Sequence, residues 1–346
     1  MRCGDQKIWN KAKTVRGVES LTVETTEISI NDVMKASARI HGYAYRTPTY
    51  RSFSEESAWL KLECFQPTRS FKIRGAANKI LSLPEDVLGN GVLTASSGNH
   101  GLAVAFVANK LGIKATIVLP ETVVPEKLAW IRSLGARVVL FGKQQDERQR
   151  KALELQKSEG SILIPPFNDY EIVTGQATCG IELLEDVPEV ENIFVPIGGG
   201  GLISGVALAT KLERPKGKTK VYGVQPEGSP SMYESFKKNE ISTIGESKSI
   251  ADGLLVKRPG DITFQFVKRY VDDIILVSDA EILDATRQIV TKEHVLAEPS
   301  GAASFAGMLK FRKTVPTEAN RKSIAIVSGG NISVELLQKI LANNQN

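Results

Sequence analysis

A single lysine, Lys72, stands between Phe71 and Ile73 in the stretch SFKIRGAANK, where a loop passes into a predicted helix. The N-terminus of a helix disfavours a cation because its partial charge is already positive. An amine held in apolar surroundings has a lowered pKa, and it can form a Schiff base with an aldehyde. Taken alone, Lys72 is better interpreted as an ordinary surface lysine, so its chemistry depends on the loops that accompany it.

The segment PIGGGGLISG, residues 196–205, joins an apolar strand to an apolar helix. Its consecutive glycines, Gly198 to Gly201, would let the backbone approach a ligand closely, and the N–H groups of the helix N-terminus would face an anion. The GxGxxG spacing of a dinucleotide site fails in every register, and the next strand ends at Gln225 instead of an acidic residue. The loop therefore favours a small phosphate ester over a nicotinamide dinucleotide, with a purely structural tight turn as the alternative.

Two further polar loops follow predicted strands. The first, ASSGNHG at 95–101, brings hydroxyl, amide and imidazole groups to a helix N-terminus. This arrangement suits a carboxylate, although simple N-capping by Ser97 is an alternative. The second, VSGGN at 327–331, puts Ser328 at the carboxyl end of a strand, where ligands of open α/β folds bind, but turn chemistry explains it equally well. Sites for a phosphate, an aldehyde and a carboxylate together point to pyridoxal phosphate and an amino acid.

The elements that must position these groups alternate between strands and helices. The predicted strands lie at 91–96, 115–120, 137–141, 161–166, 192–197, 221–225, 273–278 and 323–328. The predicted helices that alternate with them lie at 98–111, 125–135, 146–159, 172–185, 202–212 and 279–292. An earlier helix begins after Ser29, with Asp32 completing a capping box, and a short strand covers Trp59–Leu62. Alternation of this kind predicts an α/β fold with parallel sheets and right-handed crossovers.

The same pattern predicts the domain organisation. We expect residues 91–168 to form a small domain inserted into a large domain made of residues 28–90 and 169–346, with 1–27 as a flexible tail. A cleft between the two domains is the expected small-molecule site. The Lys and Arg residues are scattered, which argues against nucleic acid, and no apolar run is long enough to cross a membrane. Cys3, Cys64 and Cys179 are far apart, which fits a reducing cytoplasm and no zinc site.

Four ordered blocks carry a resemblance to a known family: PTRSFKIRGA (67–76), ASSGNHG (95–101), GGGGL (198–202) and SGGN (328–331). With them, the chain resembles the fold-type II pyridoxal-phosphate enzymes, in the group of threonine/serine dehydratases and serine racemases. The blocks IADGL (250–254) and AEPSGAAS (297–304) also match. The resemblance implies two open, mostly parallel twisted sheets flanked by helices, as in the tryptophan synthase β-like fold. It also implies a homodimer or homotetramer.

The resemblance further implies a role for each candidate residue. Lys72 would bind the cofactor and then, once released, remove the Cα proton, and Ser97 is the second catalytic candidate. The residues expected around the cofactor ring are Phe71 on its face, Asn99 at the 3-hydroxyl, Ser328 at the ring nitrogen, and Gly253 and Glu298 nearby. The residues expected at the cofactor phosphate are Gly198, Gly199, Gly200, Gly201 and Leu202. The residues expected at the substrate carboxylate are Ser96, Ser97, Asn99 and His100.

The implied reaction is the dehydration and deamination of L-threonine or L-serine to 2-oxobutanoate or pyruvate. A serine racemase, with Ser97 protonating the opposite face, is the nearest alternative. Arg69 stands where the family has glycine, which leaves open another β-hydroxy amino acid such as 3-hydroxyaspartate. A nicotinamide oxidoreductase and a non-catalytic amino-acid sensor fit the motifs less well. Gln225 and Ser231 replace the acids expected to hold a divalent ion, so no metal is predicted.

Overall fold

The computed structural model describes residues 27–96, 98–123, 125–142 and 145–342. Its strands are β1 (Thr49–Arg51), β2 (Ala58–Leu62), β3 (Val92–Ala95), β4 (Ala115–Leu119), β5 (Arg137–Leu140), β6 (Ile162–Leu163), β7 (Asn192–Pro196), β8 (Lys220–Pro226), β9 (Asp273–Val277) and β10 (Ser323–Val327). Its helices are α1 (Ile30–Ile40), α2 (Lys72–Leu81), α3 (Glu85–Leu88), α4 (Asn99–Leu111), α5 (Pro125–Ser133), α6 (Gln145–Glu159), α7 (Tyr170–Asp186), α8 (Gly201–Glu213), α9 (Ser231–Lys238), α10 (Asp261–Tyr270), α11 (Asp279–Lys292), α12 (Pro299–Thr314) and α13 (Val334–Ala342).

The strands form two sheets, as the alternating pattern predicts. The larger sheet has the order β1-β2-β10-β7-β8-β9, and the smaller has the order β5-β4-β3-β6. All strand pairs of both sheets are parallel except β1 with β2. The expected α/β fold class is therefore confirmed. Because β10 and β7 are parallel neighbours, their carboxyl ends open onto the same edge of the larger sheet.

Helices cover both faces of the larger sheet. One face packs against α11 and α12 through a cluster that includes Ile289 and Phe305. The other packs against α7, α8 and α10 through a cluster that includes Leu183, Val206 and Val267. Fully buried strands of this kind are nearly continuous apolar runs, which is why the strand segments were recognisable from the sequence.

The smaller sheet is covered on one side by a core that reaches beyond its own segment. Strands β3 to β6 and helix α4 all lie within 91–168. Their core nevertheless includes Ile40 of α1 together with Ile73 and Ile80 of α2. The α1 helix begins with the expected capping box, in which the Ser29 and Asp32 side chains each accept from the other's backbone N–H. Helix α2 thus packs directly against α4, while α1 packs against α2 and α7.

A buried charge network fixes α2, the helix that begins at Lys72. Arg74 donates to Glu63 at 2.7 and 2.8 Å and to Glu182 of α7 at 2.7 Å. The Lys61 amine also lies 2.8 Å from Glu182. Arg74, Lys61 and Glu63 are buried. Removing one partner would leave an uncompensated buried charge, so the network holds the start of α2 in one position. Within the described ranges, no helix has the length and apolarity needed to span a membrane.

Candidate active site

A cavity of about 360 Å³ opens where the three polar loops meet. It is lined by every described residue that the sequence analysis placed at the cofactor or substrate: Phe71, Lys72, Ser96, Asn99, His100, Gly198, Gly199, Gly200, Gly201, Leu202, Gly253, Glu298 and Ser328. Ser97, the remaining candidate, lies outside the described residues. One cavity therefore unites groups that are up to 257 positions apart, between Phe71 and Ser328.

The Lys72 amine points into this cavity from the first residue of α2. Its Nζ donates to the Pro166 carbonyl oxygen at 2.9 Å and lies 5.1 Å from the centre of the Phe71 ring. Burial lowers the pKa of Lys72 to about 8 because the charged form loses its hydration. Main-chain contacts fix the position, since the Phe71 N–H donates to the Ser328 carbonyl at 3.1 Å. Near physiological pH the neutral fraction of Lys72 is therefore much larger than that of an exposed lysine. The neutral amine is the form that attacks an aldehyde.

The glycine run forms the connection from β7 to α8. Gly200 is the N-cap of α8 at φ +95°, and no side chain caps this helix end. A Cβ at Gly199 would lie 2.3 Å from the Phe167 ring, so only glycine fits between the loop and that ring. The N–H groups of the first helical turn have no acceptor within the helix. The loop is thus a backbone cradle suited to an anion such as a phosphate.

A second uncapped helix end, that of α4, faces the same cavity from the smaller sheet. Its N-cap is Gly98, and no described side chain caps this helix end, while the alternative of N-capping by Ser97 falls on a residue outside the described ranges. The His100 Nε2 lies 3.0 Å from the Ile164 carbonyl oxygen. Burial, aided by the Lys72 charge, lowers the pKa of His100 to about 3, so the ring is neutral. Its proton then sits on Nε2, because a carbonyl can only accept, and Nδ1 has no proton to offer a carboxylate.

Asn99 and Glu298, which both line the cavity, form a hydrogen-bonded row with Asn331. The Asn99 Nδ2 donates to Glu298 Oε1 at 2.6 Å, and Asn331 Nδ2 donates to Asn99 Oδ1 at 2.7 Å. Burial, with a contribution from the Asp252 charge, raises the pKa of Glu298 to about 7. The backbone of Gly329 packs closely against this row, since a Cβ there would lie 2.0 Å from Glu298 Oε1.

The remaining ring-side candidates lie directly after β10 and in the 3-10 turn Asp252–Leu254. Ser328 is buried, and its Oγ lies 3.5 Å from the Ser300 carbonyl oxygen. The Gly253 N–H donates to Ser300 Oγ at 2.9 Å, which fixes the turn against the start of α12. Ser328 therefore presents a neutral hydroxyl at the edge of the cavity.

Several lining residues were not singled out from the sequence. Phe167 covers the glycine loop, and Lys127 and Arg148 bring two cations from α5 and α6. Lys127 Nζ lies 3.6 Å from a carboxylate oxygen of Asp252, across the cavity mouth. Asp252 and Ser300 fall inside two recognised blocks, IADGL and AEPSGAAS, which was the only available signal for them. No local sequence motif marks Phe167, Lys127 or Arg148.

The departures from the family pattern have local explanations. Arg69 is exposed, sits at φ +58° where glycine carries no steric penalty, and is absent from the described lining of the cavity. Gln225 accepts from the Tyr233 N–H at 2.8 Å, and Ser231 donates to the Val256 carbonyl at 2.5 Å. Among the residues that the structure describes, no cluster of three or more acidic, histidine or cysteine side chains could hold a metal.

The donor set suits a phosphorylated aldehyde. The cavity offers an amine with a lowered pKa, an uncapped helix end whose glycines leave no room for a Cβ, and amide and hydroxyl groups at its walls. These features match the aldehyde, the phosphate and the ring heteroatoms of pyridoxal phosphate. A second uncapped helix end remains for the carboxylate of an amino acid.

Comparison with known proteins agrees with this chemistry. Residues 40–329 match the family described as pyridoxal-phosphate dependent enzyme. The chain is 41% identical to an L-threonine ammonia-lyase of Thermotoga maritima, over 91% of this chain and 78% of that protein. It is 39% identical to a catabolic L-threonine dehydratase of Escherichia coli, over 90% and 96% of the two chains. The structure of maize serine racemase matches with a TM-score of 0.85 at 37% identity, covering 91% of this chain and 97% of that chain.

The chain therefore belongs to the pyridoxal-phosphate dependent enzymes, with the fold-type II architecture and pyridoxal phosphate as its cofactor. Within that family it falls in the group that contains threonine and serine dehydratases and serine racemases, as the four sequence blocks predicted.

Proposed function

We propose that this protein is a lyase that removes water and ammonia from L-threonine and L-serine, giving 2-oxobutanoate and pyruvate. One observation carries the proposal: the Lys72 amine shares a cavity with the uncapped N-termini of α4 and α8. Two separate anion sites around one reactive amine suit a phosphorylated cofactor and an amino-acid carboxylate together. The names of the two relatives at 41% and 39% identity support threonine as a substrate.

Pyridoxal phosphate, when bound, supplies an electron-withdrawing ring that makes the Cα proton of an attached amino acid acidic. We assign the N–H groups of residues 198–202 to its phosphate, Asn99 Nδ2 to its 3-oxygen and Ser328 Oγ to its ring nitrogen. Phe71 would pack against the ring, and Gly253 and Glu298 would border it. Because the Ser328 hydroxyl is neutral, it does not stabilise a charged ring nitrogen by ion pairing. This environment favours immediate loss of the β-hydroxyl over slower reactions at Cα.

Lys72 then acts as the base. Its neutral Nζ accepts the proton from the substrate Cα, and a pKa of about 8 is close to physiological pH, as suits a general base. The substrate carboxylate lies at the N-terminus of α4 near Ser96, Ser97, Asn99 and His100. Since the single N–H of the neutral His100 ring is donated to the Ile164 carbonyl, we expect His100 to contribute its backbone N–H to the carboxylate.

The decisive experiment is a substrate panel with the purified holoenzyme. L-threonine, L-serine, their D-enantiomers and 3-hydroxyaspartate are each tested for release of a 2-oxo acid, by reduction of the product with NADH and a dehydrogenase. We expect release from L-threonine and L-serine. Release from 3-hydroxyaspartate alone would replace the proposed substrate with an acidic one, and release from none would overturn the proposal.

A serine racemase is the second candidate, because the maize serine racemase structure matches at a TM-score of 0.85. A racemase needs a proton donor on the face opposite Lys72, and Ser97 is the residue that we would assign. Chiral chromatography after incubation with L-serine separates the two candidates. D-serine formed faster than pyruvate would favour racemisation, whereas pyruvate with little D-serine would favour dehydration.

We also propose the wider organisation that the sequence indicated. The segment 91–168 would be a small mobile domain, supported by the separate sheet that it forms and by the Lys127–Asp252 ion pair at the cavity mouth. A homodimer or homotetramer would bury the exposed side chains of Phe65 and Leu296. A cytoplasmic location is supported by Cys64 and Cys179, which are free and buried.

A further inference from the structure

Asn331 lies three residues beyond Ser328, on the segment that leaves β10, and it has no role in the function proposed above. Its amide nitrogen makes two hydrogen bonds, to the Thr68 carbonyl oxygen at 3.0 Å and to Asn99 Oδ1 at 2.7 Å. An amide NH₂ group has two donor hydrogens, so both bonds can form at once. Asn331 therefore connects the Thr68 carbonyl, in the loop that precedes α2, to Asn99, the first residue of α4.

The direction of this row is fixed at its Thr68 end. A backbone carbonyl can only accept, so Asn331 must present its NH₂ group there, and the same group then faces Asn99. Asn99 must in turn offer its Oδ1 to Asn331, which leaves its Nδ2 directed toward Glu298 at 2.6 Å. A carboxyl group accepts when ionised and donates when protonated, so Glu298 by itself does not decide which way the Asn99 amide faces.

Without Asn331 the Asn99 side chain would have a competing partner. Asn99 is the first residue of α4, and the N-cap Gly98 supplies no side-chain acceptor to the helix. Asparagine at a helix start readily turns its oxygen back to the free N–H groups of its own first turn. The bond from Asn331 holds the oxygen away from those groups.

We infer that Asn331 is a positioning residue that fixes the Asn99 amide with Nδ2 toward the cofactor's 3-oxygen. The inference rests on the proposed cofactor site, and it explains why the SGGN block includes an asparagine after Ser328. The two glycines between them serve the same geometry. A side chain on Gly329 would strike Glu298, and one on Gly330 would lie 2.6 Å from the Leu296 carbonyl.

A double-mutant cycle on cofactor affinity tests the inference. The apoproteins of the wild type, Asn99→Ala, Asn331→Ala and the double variant are titrated with pyridoxal phosphate, and the absorbance of the bound cofactor is recorded. We expect each single variant to bind about tenfold more weakly, as for one lost hydrogen bond. We expect the double variant to bind no more weakly than Asn99→Ala, because Asn331 acts through Asn99.

The spectrum provides a readout that a structural role would not change. A hydrogen bond to the 3-oxygen affects the balance between the cofactor's absorbance bands, so Asn331→Ala and Asn99→Ala should shift that balance in the same direction. Asn331→Asp keeps the size of the side chain but replaces the donor with an acceptor, and it should shift the bands at least as far. Val334→Ala, an exposed change three residues along the chain, is the control and should change nothing.

The possible results separate cleanly. Additive losses in the double variant, or Asn331 variants with unchanged affinity and spectrum, would overturn the inference while the cofactor site stands. A wild-type protein that fails to bind pyridoxal phosphate would instead contradict the proposed function. If Asn331→Ala does not fold, Asn331→Asp is titrated alone and together with Asn99→Ala, with the same criteria.

Discussion

At the scale of single residues, the amine of Lys72 leads to a pH prediction. Its pKa of about 8 means that the neutral fraction rises about tenfold per pH unit below pH 8 and then levels off. The rate at which apoprotein binds pyridoxal phosphate covalently should follow this curve, measured by stopped-flow absorbance from pH 6 to 10. A rate that continues to rise to pH 10 would show that Lys72 titrates as an ordinary lysine.

Replacing Lys72 provides the complementary test. Lys72→Ala should abolish both the cofactor absorbance near the visible edge and the release of 2-oxo acid, because no other amine takes its place in the proposed chemistry. Lys35→Ala, on the exposed side of α1, is the control and should leave both unchanged. Retention of the absorbance by Lys72→Ala would refute the assignment of the cofactor lysine.

Glu298 makes the stability of the apoprotein depend on pH. Its folded-state pKa of about 7 lies above the ordinary value of 4.5, so the folded protein binds more protons than the unfolded chain between these values. This contribution to stability is fully present below pH 4.5 and is lost as the pH rises to about 7. The loss amounts to about 3 kcal/mol.

Glu298→Gln removes the titration while keeping an oxygen for Asn99. Urea unfolding of both apoproteins should show the stability difference, wild type minus variant, falling by about 3 kcal/mol between pH 4.5 and pH 7.5. A difference that stays constant across this range would mean that Glu298 keeps an ordinary pKa.

At the scale of elements, the connection between β7 and α8 depends on the absence of a side chain at Gly199. A Cβ there would lie 2.3 Å from the Phe167 ring, so Gly199→Ala must displace either the ring or the loop. We expect at least about tenfold weaker binding of pyridoxal phosphate, equivalent to about 1.4 kcal/mol. Adding Phe167→Ala should restore part of the affinity.

A matched glycine serves as the control for that experiment. Gly245 has no heavy atom within 4 Å of the position that its Cβ would take, so Gly245→Ala should bind the cofactor as the wild type does. Equal affinities for Gly199→Ala and the wild type would show that the loop does not hold the phosphate.

The helix that carries Lys72 should also be sensitive to its buried charges. Arg74→Met leaves Glu63 and Glu182 without their main partner, and we expect about 3 to 5 kcal/mol lower stability in urea unfolding. Arg46→Met removes an exposed arginine paired with Glu185 and should cost less than about 1 kcal/mol. Similar losses for both variants would contradict a special role for the buried network.

The sequence predicted the helices, strands and loops better than it predicted which side chains tertiary folding brings together at the cavity. Periodicity located the long buried strands, and the glycine run and the polar loops were recognised because each follows a strand. The three-residue strand β1, Thr49–Arg51, was missed, since it pairs at a sheet edge and has no apolar run. Phe167, Lys127 and Arg148 were missed because only tertiary folding brings them to the cavity. The place of His100 at the substrate carboxylate stays a prediction, and because its ring N–H donates to the Ile164 carbonyl, we assign that role to its backbone N–H.

At the scale of the whole molecule, exposed apolar side chains lead to a prediction about assembly. Phe65 is 46% exposed and Leu296 is 45% exposed. The chain segments that carry them are close, since a Cβ at Gly330 would lie 2.6 Å from the Leu296 carbonyl oxygen and 3.1 Å from the Cys64 Cβ. Phe65→Glu combined with Leu296→Glu should convert the proposed dimer into a monomer, measured by sedimentation equilibrium.

Leu140→Glu is the control for that measurement. Leu140 is equally exposed, at 43%, but it belongs to the edge strand of the smaller sheet. Its replacement should leave the assembly unchanged. A wild-type protein that sediments as a monomer, or a double variant that remains a dimer, would contradict this interface.

The uncapped N-termini of α4 and α8 bear on the proposed movement of the segment 91–168. Both α4 and α8 direct a partial positive charge into the same hollow, each from a different sheet, so with nothing between them they repel one another. A molecule with a negative group at each end cancels both charges and turns this repulsion into attraction. In the proposed arrangement, in which the segment 91–168 is mobile, binding of the cofactor and the substrate would therefore also draw the two helix ends together and close the cavity.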